Sequence, residues 1–309
     1  MFTYIIKRML ALIPIILIMS MIVFGLSALS SGDAARVLAE QRYEHPSHEQ
    51  VEEVRREYGL DQPIYKQYGR WLLNICHGDF GNSYQTRQPA LVEIGKCLPV
   101  TVRLAVTAFA ILVAVSIPLG ILSAVYENKW LDKVLQIFSF FSVSMPGFWI
   151  GLMLLYLFGV KLKIISVIGG GTGNVPILAA VTLDIGYFGI LIRLMRTNMS
   201  EVLQKGYIRA AQAKGLSQFI IVIKHGLKNA VLPVITQMSN ICVSLLCGSA
   251  IVESIYSIQG IGNLSLEAVY SKDLPVLQCF ILLITCFVVI MNLLIDILYS
   301  VIDARIQLT

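Results

Sequence analysis

Long apolar runs alternate with short polar stretches along this chain. Segments near 9–30, 99–126, 131–159, 176–198, 229–255 and 275–301 each exceed the ~20 apolar residues that cover a bilayer's hydrocarbon. They predict six transmembrane helices and an all-α polytopic membrane protein. The largest polar interval, 31–98, has helical signals of its own. Ser47 and Gln50 match a capping box at the start of SHEQVEEVRREYG, and Gly59 supplies the stop. After Pro63, the residues Ile64, Tyr68, Trp71, Leu72 and Ile75 recur at i, i+4, i+7, i+8 and i+11, an amphipathic face. That face is expected to lie on the membrane surface or against a partner's outer loop. The chain thus divides into an N-terminal tail with the first span (1–30), an external helical cap (31–98) and a five-helix core (99–309).

Lys and Arg in the short loops orient the bundle. Lys7 and Arg8 precede the first span, Lys129 and Lys133 lie in the turn after the second, the most basic stretch follows the fourth, and Arg305 follows the sixth. With six spans all four places share one side, so both termini are expected in the cytoplasm. Lys161 and Lys163 fall on the opposite side and are outvoted. The apolar run from Met9 to Leu29 is longer than the about 7–15 residues of a signal-peptide core, so it reads as a retained span.

Composition agrees. Of 309 residues, 56% are hydrophobic and 14% charged, where soluble domains carry about 25% charged residues. The net charge of +5 fits loop topology and lipid headgroups rather than nucleic acid. Of the six cysteines, four lie in apolar segments as small hydrophobes. Cys76 and Cys97 fall in the polar interval, which leaves a pairing between them open.

Candidate chemistry is sparse. There is no H-E-x-x-H, G-x-S-x-G or nucleotide-binding motif, which argues against a membrane-embedded enzyme. The run GGGTG at 169–173 lacks the Gly-Lys-Ser/Thr ending of a phosphate loop and reads as a flexible turn. His45 and His48 are metal-ligand candidates if helical, although Pro46 between them favours a solvated loop. Ionisable residues inside spans are functional candidates by default. Asp184 lies near the middle of span four and must face the bundle interior, a watery path or another helix. Glu253 and Asp296 lie near span ends, where water is close. Met145 and Pro146, in SMPGFW, place a bend in span three that either packs or lines a pore.

The stretch from Glu201 to Pro233 is a basic island between apolar segments, with Lys205, Arg209, Lys214, Lys224 and Lys228 against one acid, Glu201. Helix-forming runs at 208–214 and 219–228 flank Gly215. Two short helices there would give a docking surface for a soluble partner.

This island resembles the cytoplasmic coupling motif of ATP-binding cassette (ABC) importer permeases, in the form found in the peptide and nickel permease family. The matching residues are Tyr207, Ile208, Arg209, Ala211, Ala213, Lys214, Gly215, His225, Leu227, Asn229, Ala230 and Pro233. LDQPIYKQYG at 60–69, GDFGNSY at 78–84, SMPGFW at 144–149, KDLPVLQ at 272–278 and NLLIDILYSVIDARI at 292–306 extend the resemblance over nearly the whole chain. Two departures stand out. Arg209, before Ala210 and Ala211, replaces the Glu of the general motif, as is usual in this branch. The run Ile258-Gln259-Gly260-Ile261-Gly262 replaces Trp-Pro-Gly-Leu-Gly.

The resemblance implies a type I importer permease fold in a bacterial cytoplasmic membrane. It implies a second homologous permease subunit, two ATP-binding subunits docked on residues 201–228 and an external substrate-binding protein. This chain would bind no cofactor, with ATP and Mg used by the partner subunits. Glu201, Tyr207, Arg209, Ala210, Ala211, Ala213, Lys214, Gly215 and His225 would carry the coupling. The short loop between spans three and four leans the substrate towards nickel, free or chelated, with a dipeptide or oligopeptide as the alternative. A gradient-driven secondary transporter or channel is the alternative of a different class. Its marks, paired broken helices in inverted halves and midplane charge relays, are not evident in the sequence.

Overall fold

The computed structural model describes residues 2–29, 34–43, 45–164 and 177–302. The turn at 169–173 and Arg305 lie outside the described residues. Of Asp296 only the backbone, within the last helix, is described. Among the described residues there is no strand, only an isolated antiparallel bridge between Asn82 and Pro89. The chain forms two compact units, Met1–Pro99 with Asn263–Leu294 and Val100–Gly262 with Ile295–Thr309.

The first unit holds α1 (Phe2–Leu29), α2 (Ala34–Arg42), α3 (His48–Glu57), α4 (Ile64–Cys76), the start of α5 (Ala90–Val125), most of α13 (Ile261–Tyr270) and most of α14 (Leu274–Ile302). The capping box is formed. Gln50 N donates to Ser47 Oγ at 3.3 Å and Ser47 N donates to Gln50 Oε1 at 2.8 Å. Gly59, at φ +64°, ends the turn after α3 in the left-handed conformation that glycine adopts without a Cβ penalty. Helix α2, not expected from the sequence, lays Ala35 and Ala39 into this unit's interior. Arg42 grips Glu57 of α3 through two hydrogen bonds, 2.7 and 3.1 Å.

The amphipathic face of α4 packs differently from the expectation. Tyr68 and Trp71 close on Phe24 of α1, with ring centroids 5.5 and 5.3 Å away. The Tyr68 and Ser20 hydroxyls lie 2.8 Å apart. Trp71 Nε1 donates to Gln278 Oε1 at 3.0 Å, and Gln278 Nε2 donates to Ser27 Oγ at 2.5 Å. The polar edges of an apolar face thus find partners within the chain, as buried donors require.

The second unit holds the rest of α5, α6 (Trp130–Ser144), α7 (Gly147–Leu155), α8 (Ile177–Leu203), α9 (Gly206–Ala213), α10 (Gln218–Ile220), α11 (Lys228–Cys247) and α12 (Ala250–Ile255). Its core gathers Leu104 and Leu112 of α5, Leu191, Ile192 and Met195 of α8, and Ile241 and Leu245 of α11. Small residues let the helices approach. A Cβ on Gly120 would lie 2.5 Å from Met195 Cβ, and one on Gly189 would overlap Ser139 and Ser142 of α6.

Among the described residues, six uninterrupted spans are not found. Four helical stretches among the described residues are long and apolar enough to cross a membrane: Ala90–Val125, Ile177–Leu203, Gln218–Cys247 and Leu274–Ile295. The expected third span is a pair, Trp130–Ser144 and Gly147–Lys161, bent by 102°. The bend falls where Pro146 cannot donate and drives Met145 to extended backbone, ψ 139°. Counted as one span, the pair makes five. Helix α1 is 28 residues long, and Ile13–Leu29 is the apolar part of it whose side chains are described. The expected fifth span ends early. Helix α11 stops at Cys247, and Ser249 restarts the chain as α12. Helix α5 also begins nine residues before 99.

Candidate functional site

The basic island folds as a compact bracket. Helix α9 is amphipathic, and Ile208 and Ala211 pack against Ile221 and Leu203. The opposite face leaves Tyr207, Arg209, Ala210, Ala213 and Lys214 exposed. Glu201 and Lys205 pair at 2.6 Å on the surface. Gly215, at φ +76°, reverses the chain, and its N–H donates to Gln212 O at 2.9 Å. No atom lies where its Cβ would point, so the backbone conformation alone calls for glycine there.

The second half of the island is not a separate helix. From Gln218 it runs on through a π-helical turn, Ile221–Leu227, into α11, as one 30-residue helix to Cys247. His225 sits in the π turn, and its carbonyl accepts Asn229 Nδ2 at 3.1 Å. Asn229 also donates to the Tyr207 hydroxyl, 3.1 Å away, tying α9 to α11. Gly226 packs on Met199 of α8. Leu216, Phe219, Ile220 and Ile223 are exposed, Phe219 by 74%. An apolar ridge beside Lys214 and Lys224 is thus joined rigidly to a membrane helix.

Near this bracket the structure builds an ion-pair cluster that sequence reasoning missed. Asp132, fully buried, accepts Arg196 Nε at 2.6 Å and Nη2 at 2.8 Å. It also accepts Ser123 Oγ at 2.6 Å and the Asn128 N–H at 2.9 Å. Glu127 lies 3.6 Å from Arg196 and accepts Ser200 Oγ at 2.7 Å. The cluster fastens the α5–α6 turn to α8. Arg193 and Arg196 border an adjoining cavity of about 310 Å³. The available signal was an acid in a basic turn, which local pattern alone does not pair with an arginine 64 residues away.

Asp184 is fully buried in α8, as a mid-span acid must be, and neither carboxylate oxygen has a hydrogen-bond partner. Met145 and Pro146 form the exposed corner between α6 and α7. Glu253 is fully buried rather than near water. Its Oε1 accepts Thr101 Oγ1 at 2.7 Å and Ser249 Oγ at 2.8 Å. Thr101 Oγ1 in turn accepts the Ile261 N–H at 2.8 Å. Here the departing run 258–262 acquires a role. A Cβ on Gly260 would overlap the Glu253 carboxyl and Thr101, and one on Gly262 would lie 2.6 Å from Ala250 Cα.

His45 lies in a bend and His48 opens α3, both exposed. Among the described residues no group of three or more His, Cys, Asp or Glu could hold a metal ion. Cys76 and Cys97 are not joined by a disulfide. Ser83 and Asp273, in two of the motifs that carried the resemblance, meet at 2.5 Å.

Two family profiles match the chain. The binding-protein-dependent transport system inner membrane component matches residues 116–308, and the N-terminal component of the same systems matches residues 1–105. The chain therefore belongs to the inner-membrane permease components of binding-protein-dependent ABC importers, which are not themselves the ATPase. It is 35% identical over 307 residues to the glutathione transport system permease protein GsiC of Shigella boydii serotype 4, covering 99% of each chain. It matches the protein of that name from Escherichia coli strain K12 with the same identity and coverage. A crystal structure of an amino acid ABC transporter with histidines aligns with a TM-score of 0.49 and 16% identity, over 70% of this chain and 95% of that one.

Proposed function

We propose that this chain is one of two permease subunits of an ABC importer for small peptides of the glutathione class. Nickel was the substrate first suggested by the sequence. Relatives from Shigella boydii and Escherichia coli that align end to end with this chain are named for glutathione, a thiol tripeptide, and this carries the peptide reading. The permease would form half of the translocation path in a bacterial inner membrane, with α1 and the bent α6–α7 pair each crossing once and both termini in the cytoplasm. An external binding protein would deliver the substrate. The bracket at 201–228 would receive an ATP-binding subunit. Its geometry supports that reading, because an exposed apolar ridge with basic neighbours suits a cleft with acidic walls. The unbroken helix 218–247 would convert closure of the ATPase pair into rigid-body movement of the core.

The test is transport by the whole importer in proteoliposomes. ATP-dependent uptake of radiolabelled glutathione or a dipeptide, undiminished by nickel, is the expected result. Uptake of nickel that resists excess peptide would restore the nickel reading. Uptake by this chain without ATP-binding subunits would support the gradient-driven alternative.

A further inference from the structure

The residue that precedes α14, Asp273, is 3% exposed. Its Oδ2 accepts Ser83 Oγ at 2.5 Å and the Gln85 N–H at 3.4 Å. Its Oδ1 accepts no hydrogen bond at all. Buried polar atoms are normally paired, and a carboxylate oxygen without a donor bears its full desolvation penalty. This residue lines a cleft of about 520 Å³ within the first unit, together with Glu93, Glu267, Ser83, Thr86 and Ser271. Among the described residues three carboxylates line this cleft, and no Lys, Arg or His does. Two of them are partly matched: Glu93 lies 3.6 Å from Lys96 Nζ, and Glu267 Oε1 accepts Asn263 Nδ2 at 2.7 Å. The acids do not close into a metal cage. Their spread suits a larger organic cation whose several N–H groups reach separate acceptors.

We propose that this cleft binds a primary ammonium or guanidinium group, with Asp273 Oδ1 as its buried acceptor and Glu267 and Glu93 supplying further negative charge. The proposal rests on the importer reading, in which α13 and the start of α14 face outward. There the cation has two sources: the free amine of an arriving peptide, or a basic side chain of the binding protein.

Three measurements on the assembled importer in nanodiscs decide it, using Asp273→Asn and Glu267→Gln. The first variant is nearly isosteric and keeps an acceptor for Ser83, and the second leaves that bond untouched. Both are expected to retain the subunit composition and basal ATPase rate of the parent. Arginine amide, added without binding protein, is expected to bind the parent saturably and each variant about tenfold more weakly. Equal binding to all three, or none to the parent, overturns the site whatever the complex transports. If the binding protein supplies the cation, both variants weaken its docking about tenfold and flatten the salt dependence. If the peptide supplies it, docking is unchanged and the variants lose preference for free-amine over N-acetylated peptide, read as KM. Docking, salt dependence and amine preference all at parental values in both variants would overturn the proposal. A parent complex without ATP-dependent uptake would instead count against the importer reading.

Discussion

Asp132 and Arg196 face each other as carboxylate and guanidinium, joined by hydrogen bonds of 2.6 and 2.8 Å, with the acid wholly shielded from solvent. Two parallel charge-assisted bonds fix orientation as well as distance. Arg196→Ala leaves a buried carboxylate without its counter-charge and is expected to cost about 3–5 kcal/mol. Arg196→Lys loses the second bond and recovers only part of that. Thermal unfolding of the purified complex checks the order, parent above Lys above Ala. Equal melting temperatures would remove the cluster from any structural role.

The Glu253 pocket leaves no room beside its glycines. Gly262→Ala places a methyl 2.6 Å from Ala250 Cα and 2.9 Å from the Glu253 carboxylate. Overpacking of this kind costs about 1–3 kcal/mol. The same assay is expected to register the loss. Gly147→Ala, where no atom lies within 4 Å of the added carbon, avoids any such overlap and serves as the control.

Asp184 has no partner for either oxygen. Asp184→Leu removes a polar group that costs about 1–3 kcal/mol when buried unsatisfied, so it is expected to stabilise the fold. A substrate-path role would show as lost uptake in that stabilised variant. Unchanged uptake with raised stability would assign the acid no part in transport.

Arg42 holds the Glu57 carboxyl below its usual range through the hydrogen-bonded pair between α2 and α3. The sign follows from the lowered value. The contribution is present at and above the ordinary carboxylate range and disappears as pH falls through the depressed value. Protection of α2 amides from hydrogen exchange, taken relative to their intrinsic rates at each pH, is therefore expected to fall at acid pH in the parent. In Arg42→Ala protection should be lower already at neutral pH, with a weaker acid dependence.

Local signals were the ones legible in the sequence. The capping box at Ser47 and Gln50, the stop at Gly59 and the helix break at Gly215 each depend on a few neighbouring residues, and all are formed. The four long membrane helices follow from length and apolarity. What escaped depended on distance along the chain. Ser83 and Asp273 are 190 residues apart, Thr101 and Glu253 are 152, and no local periodicity pairs them. Arg196 carries a buried ion pair with Asp132, 64 residues away along the chain. Pro146 was legible as a bend, but its 102° extent depends on how α6 and α7 pack against α8.

The most direct test of coupling replaces Gly215 in the reconstituted importer. Asn tolerates the left-handed conformation, whereas Pro cannot adopt φ +76° and lacks the N–H that bonds Gln212. ATP-dependent uptake of glutathione is the readout, alongside the ATPase rate stimulated by binding protein. Gly215→Asn is expected to transport within about twofold of the parent, the difference a mild backbone strain allows. Gly215→Pro is expected to assemble but to lose both uptake and stimulation. Full transport by Gly215→Pro would contradict the assignment of this bracket as the link between ATP hydrolysis and the membrane path.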